Sequence, residues 1–166
     1  MVKIKIAVFD AGPFIHLHEI ERLAFVSLFE KILTTEEILE ECSRIRPLLE
    51  KCKTLFLQTL TAESKDFAKY VLERYNLDLG EATGISLCKQ ERIKLFFTDD
   101  LAAREIAHLL GFEPHGTLAV ILRTYREKIL TKKEAIMAVE KLCTHSTLFL
   151  TSDIKEWVIR QIEEYK

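Results

Sequence analysis

Several things are missing from this chain, and each absence excludes something. No apolar run approaches the roughly 20 residues that a helix needs to cross a bilayer, so no membrane span is expected. The four cysteines, Cys42, Cys52, Cys88 and Cys143, form no CxxC pair and have no histidine at zinc spacing, which points to reduced, buried thiols. The first residues, Met1-Val2-Lys3-Ile4-Lys5, alternate like a strand and lack the apolar stretch and cleavage site of a signal peptide, so the expected location is the cytoplasm. A net charge of −2 supplies no global basic field that would announce nucleic acid. No GxxxxGK[ST], GxGxxG or GxSxG occurs, which removes the common nucleotide-binding loops and the α/β-hydrolase elbow. Internal repeats, low-complexity stretches and an interdomain linker are also absent.

What is present is an ordinary globular composition, 48% hydrophobic and 30% charged over 166 residues, enough for one domain spanning 1–166. Short apolar runs alternate with helical patterns. Lys3 to Phe9, Lys31 to Leu33, Thr54 to Gln58, Ile93 to Phe97 and a short stretch within Gly111 to Thr117 read as strands. Helices are expected from Pro13 on through Val26 and Leu28, from a Thr34–Glu37 capping box, and over 62–75, 80–91 and 101–110. Three further helical segments, 118–128, 131–142 and 153–165, form a C-terminal helical extension. Strands alternating with helices imply parallel crossovers, hence an α/β fold: a three-layer α/β/α sandwich on a short parallel sheet of four to five strands.

The acidic residues have a pattern. The first strand runs straight into Asp10, and the fourth ends at Thr98-Asp99-Asp100 where a helix begins. Ligands bind at the carboxyl ends of strands in open α/β sheets, so Asp10 and the Asp99-Asp100 pair share one edge if the first and fourth strands are neighbours. Helix capping is the structural alternative for Asp99, Asp100 and Glu81, and surface charge is the alternative for Glu41. His16 and His18, two apart, point in different directions on a helix and read as structural or partly exposed. Converging carboxylates repel unless a cation neutralises them, and oxygen ligands suit Mg²⁺ or Mn²⁺. Metal-assisted phosphodiester hydrolysis is the natural reaction class. An aspartyl phosphatase would want a second Asp where Gly12 stands, and a receiver domain would want the acidic residues in another order.

Together these segments resemble a PIN domain. The motifs are Val8-Phe9-Asp10, Ile38-Leu39-Glu40-Glu41, Leu79-Gly80-Glu81-Ala82 and Phe97-Thr98-Asp99-Asp100. The Gly-Glu-Ala motif and the run Asp99-Asp100-Leu101-Ala102-Ala103-Arg104 resemble the prokaryotic VapC-like branch most. The resemblance implies a Mg²⁺- or Mn²⁺-dependent ribonuclease acting on RNA. Such proteins are often the toxin of a toxin–antitoxin pair, with an antitoxin protein as partner, and often homodimers. It assigns Asp10, Glu41, Glu81 and Asp100 to the catalytic set with Asp99 assisting, and Asp10, Glu81 and Asp100 to the metal. Thr98 and Arg104 would orient these groups or the substrate. The alternative is a non-catalytic PIN-like module that binds RNA or a protein.

Overall fold

The computed structural model describes residues 6–165. Five strands of three residues each form one all-parallel sheet in the order β3-β2-β1-β4-β5. They are β1 (Ala7–Phe9), β2 (Ile32–Thr34), β3 (Leu55–Leu57), β4 (Leu95–Phe97) and β5 (Glu113–His115). The first and fourth strands are neighbours, with Val8 opposite Phe96 and Phe9 opposite Phe97. Chain reversal between β1 and β4 makes this central pair the point from which the sheet grows in both directions, the place where such sheets hold ligands.

Both faces of the sheet are covered, which is why the strands read as continuous apolar runs rather than as alternating ones. Ala7, Phe9, Ile32 and Phe97 face one core, shared with α1 (Ala11–Glu19), α7 (Thr117–Arg126), α8 (Lys132–His145) and α9 (Ser152–Glu164). Val8, Leu33 and Phe96 face the other, against α4 (Ala62–Tyr75), α5 (Leu79–Glu91) and α6 (Leu101–Leu109). Between β2 and β3 lie the short α2 (Glu36–Glu41) and α3 (Arg46–Leu49). In the first core, Phe9 meets Phe14, Phe29 and Phe97 with ring centroids 5.2, 5.0 and 4.6 Å apart. Offset and edge-on aromatic pairs of this kind add stability beyond their buried area. The cluster sits directly beneath Asp10 and the Thr98-Asp99-Asp100 turn in sequence.

Two expectations need correction, and a third lies partly outside the described residues. The first helix does not continue to Leu28: it stops at Glu19, Glu21 takes a left-handed φ of 60°, and Leu23–Leu28 forms a separate 3₁₀ helix. The apolar spacing persists across that break because both pieces pack on the same core. The cap of α2 is Thr35, whose side chain accepts from the Ile38 N–H; Thr34 is the last residue of β2 and is fully buried. The first strand begins at Ala7 within the described residues, and the part expected from Lys3 to Lys5 lies outside them. Elsewhere the bounds agree closely, α4 to the residue, and Gly111 closes α6 with a φ of 85°, the backbone region where glycine is favoured. No helix among the described residues is long and apolar enough to cross a membrane.

Candidate metal and nuclease site

Asp10 follows β1 directly and begins α1. It is 5% exposed, with its backbone N–H donating to the Phe97 carbonyl at 2.9 Å, so the chain of β4 fixes where it sits. The buried Thr98 hydroxyl donates to its Oδ2 at 2.8 Å, while Oδ1 is buried without a hydrogen-bond partner. Burial pushes the Asp10 carboxyl up to about 6, against the lowering pull of the Thr98 hydroxyl and the Ala11 backbone N–H, with Glu41 and Asp99 adding repulsion. An orphaned buried carboxylate oxygen is costly, and a native structure holds one for a reason.

Around Asp10 a pocket of about 340 Å³ is lined by Glu41, Glu81, Asp99 and Asp100, with Gly12 and His16 of α1 on one wall and Leu148 and Phe149 on another. All five acidic residues singled out in the sequence are thus brought together at the carboxyl edge of the sheet. Each also has a local reason for its position. Glu81 opens α5 and accepts the Asp78 N–H at 2.9 Å; burial raises it to about 7, with Asp100 and Asp10 contributing repulsion. Asp100 caps α6 by accepting from the Ala103 N–H at 2.8 Å. The capping alternative is therefore realised for both, on side chains that line the pocket as well. Glu41, at the end of α2, is raised by burial first and by Asp78 and Glu81 next. Its carboxylate lies so close over Gly80 that a Cβ there would collide with it. That explains the glycine of the Gly80-Glu81-Ala82 motif: it admits the carboxylate of a different helix.

Asp99 has the fullest set of partners. Its Oδ2 meets His16 Nδ1 at 2.7 Å and accepts the Thr117 hydroxyl at 2.6 Å, and its Oδ1 accepts the Thr117 N–H at 2.7 Å. A Cβ on Gly116 would fall 2.7 Å from the same Oδ1. Asp99 therefore ties α1, β4 and the start of α7 together at the rim of the pocket. Arg104 forms no ion pair with Asp100 among the described residues, although the i,i+4 spacing allows one; its side chain lines an adjoining groove with His115. His18 is exposed while His16 turns inward, so the two point apart as their spacing requires.

The sequence reads His16 as structural or partly exposed, without its partner Asp99, and gives no sign of Gly80 as the seat of Glu41 or of Thr117. His16 lies four residues after Gly12, so the small residue and the imidazole share a helix face, and that was the one local signal. The His16–Asp99 and Thr117–Asp99 contacts span 83 and 18 residues, beyond the reach of local pattern.

Among the described residues, no three acidic, histidine or cysteine side chains stand together as a metal-coordinating group in this arrangement. Glu81, Asp99 and Asp100 each accept a backbone N–H in this arrangement. The donors nevertheless fit a hard divalent ion: all are carboxylate oxygens, and the unsatisfied Oδ1 of Asp10 is the charge such an ion would neutralise. A family model described as a PIN domain matches residues 6–164. No curated protein and no solved structure gives a match. PIN domains are generally nucleases and typically use divalent metals. The match takes in every element from β1 to α9 and all the motifs that line the carboxylate pocket, and this chain belongs to the PIN-domain family.

Proposed function

We propose that this protein is a Mg²⁺- or Mn²⁺-dependent endoribonuclease that hydrolyses RNA phosphodiester bonds at the carboxylate pocket. The observation that carries the reading is the convergence of Asp10, Glu41, Glu81, Asp99 and Asp100 on one pocket, with a buried Asp10 oxygen left unpartnered. Asp10, Glu81 and Asp100 would hold the ion, which when bound supplies Lewis-acid activation of water and neutralises charge on the phosphate. Thr98 keeps Asp10 in place through its hydroxyl, and Glu41, held over Gly80, is available to orient the attacking water. Asp99 braces the α1 wall through His16 and the α7 start through Thr117. Arg104, in the adjoining groove, would meet a phosphate oxygen. No covalent protein intermediate is required.

The reading extends to the VapC-like branch, on the Gly80-Glu81-Ala82 and Asp99-to-Arg104 motifs, and with it to a toxin that works as a homodimer and is held by an antitoxin. A small open reading frame beside the gene, whose product co-purifies with this chain, is the expected sign of that role. We read 1–166 as one nuclease unit with its C-terminal helices as an extension.

A second reading, a non-catalytic PIN-like module that binds RNA or a protein, draws on one observation: Glu81, Asp99 and Asp100 each already have a protein donor. One experiment separates the two. A mixed, end-labelled RNA pool is incubated with the protein in Mn²⁺, Mg²⁺ or EDTA, beside Asp10→Asn and Glu81→Gln. The nuclease reading expects cutting that needs the metal and falls at least about 100-fold in both variants, with unchanged circular dichroism. Wild-type protein that binds the RNA equally well in EDTA and never cuts it would favour the binding module.

A further inference from the structure

Beside the carboxylate pocket runs a larger groove of about 500 Å³, bounded by α6, the start of α7, α9 and the segment before α9. The two share Asp99, Leu148 and Phe149 in their walls, so they adjoin. Its walls combine the polar Asp99, Arg104 and His115 with the apolar Leu118, Ile154 and Trp157, and Arg104 and Asp99 meet over Gly116.

Phe149 is the telling residue. It is 86% exposed, the most exposed large hydrophobic side chain among the described residues, and Trp157 across the groove is 55% exposed. Phe149 is not there because its segment is loose. Thr147 donates from its N–H and its hydroxyl to the Glu19 carboxylate at 2.8 and 3.0 Å, and Thr151 caps α9 by accepting from the Ile154 N–H. Leu148 and Leu150 pack against the first core, and in an extended segment the residue between them must point the other way. The fold thus holds a phenyl ring out at the junction of an acidic pocket and an apolar groove.

We infer that this groove is a subsite for an unpaired nucleobase of the RNA strand whose phosphate lies at the carboxylates, stacked on Phe149 and Trp157 with Arg104 toward the backbone. The inference rests on the nuclease reading for its substrate. The chemistry that selects this occupant is the combination of two exposed rings, a guanidinium in the same wall, and an adjoining site for phosphate. Every base has a π-face, so stacking platforms accept single strands with little regard to sequence. Bases in a duplex are already stacked on one another and cannot enter. What the groove adds is the pair of rings, Phe149 and Trp157, that would hold a base beside the scissile phosphate.

Trp157 is the only tryptophan in the chain, so its fluorescence reports on the groove without any need for cleavage. The probes are a 12-residue oligouridylate, a 12-residue oligoadenylate and a blunt RNA duplex, titrated in Mg²⁺ into the Glu81→Gln variant so that nothing is cut. Saturable quenching by both single strands, and none by the duplex, is expected. Adding Phe149→Ala should weaken single-strand binding about tenfold, and Phe149→Tyr should restore it, because stacking on one aromatic is worth about that much. Absence of quenching, alongside intact metal-dependent cleavage by wild type, refutes the subsite and leaves the nuclease standing. Absence of both refutes the two together. Tryptophan emission that instead shifts with protein concentration as the protein sediments as a dimer would overturn the inference in favour of a second copy covering the groove.

Discussion

Asp10→Asn should make the metal-free protein more stable at neutral pH, not less. Asp10 has an ordinary carboxyl value of 3.8, which burial raises to about 6 in the fold. Between those two values the folded protein holds a proton at Asp10 that the unfolded chain has already released. The native state then binds more protons than the unfolded one, and stability falls as pH rises through that window before levelling off above about 6. The difference, about 2 pH units at about 1.4 kcal/mol each, comes to about 3 kcal/mol of destabilisation at pH 8 relative to pH 4. Asparagine has no charge to desolvate, and its amide oxygen can still accept from the Thr98 hydroxyl. Urea unfolding of wild type and Asp10→Asn in EDTA across pH 4 to 8 should therefore show the variant gaining about 3 kcal/mol on wild type from Asp10 itself, nearly all of it below pH 7. Groups that do not sense Asp10 cancel in that comparison, while Glu81, which Asp10 repels, is relieved in the variant and adds to its gain at higher pH. Adding Mg²⁺ at about 100 times its dissociation constant should return about 2.7 kcal/mol to wild type and far less to the variant. A stability difference that stays flat with pH would mean that Asp10 is already ionised in the fold at ordinary acidity, and the argument from its burial would fail.

Three other outcomes follow from the same geometry. Gly80→Ala puts a methyl group where the Glu41 carboxylate lies; that carboxylate is the free end of a flexible side chain and can swing away, so urea unfolding should change by under about 1 kcal/mol while RNA cleavage falls because Glu41 is displaced. Asp99→Asn and Asp100→Asn, one residue apart, should differ sharply in thermal and urea denaturation. The first disrupts the charged contacts to His16 and Thr117 and should cost about 1.5–3 kcal/mol; the second keeps a good helix cap and should cost under about 0.5 kcal/mol. Equal costs would mean that Asp99 does not brace α1 and α7. Phe29→Ala, which removes a ring packed edge-on against both Phe9 and Phe97, should cost about 3–5 kcal/mol by urea unfolding.

Much of this arrangement could be read from the chain because the relevant signals are local. Apolar runs that end in Asp10 and in Thr98-Asp99-Asp100 located the edge of the sheet, and the neighbouring of β1 and β4 follows from the two ends sharing one acidic pocket. Helices α4, α5 and α6 carried their own caps and periodicity. What stayed hidden depends on contacts between distant segments. The break after Glu19 is set by packing on the core, with Glu21 in a left-handed conformation that no glycine advertised. Thr34 stands three residues before Glu37, the capping-box spacing, and only the end of β2 at Thr34 decides that Thr35 does the capping. The exposure of Phe149 arises because Leu148 and Leu150 are drawn inward by helices far off in the sequence. Local pattern around Glu41 is equally compatible with surface charge, and only the family resemblance assigns it to the site; its seat is Gly80, 39 positions later.

The double burial of the sheet has a consequence for how the strands find their alignment. In a sheet with one wet face, sliding a strand by one position turns its apolar side chains into water, and that penalty polices the pairing. Here Val8 and Phe9 point to opposite sides and both sides are oily, so a shifted β1 would find hydrocarbon either way. The next position is different. Asp10 can sit only where the Phe97 carbonyl and the Thr98 hydroxyl receive it, and a slip would drag its charge between phenyl rings. The acidic residues then act as stops that index three-residue strands too short to index themselves, so the groups that make the edge of the sheet reactive also tell the chain where each strand ends.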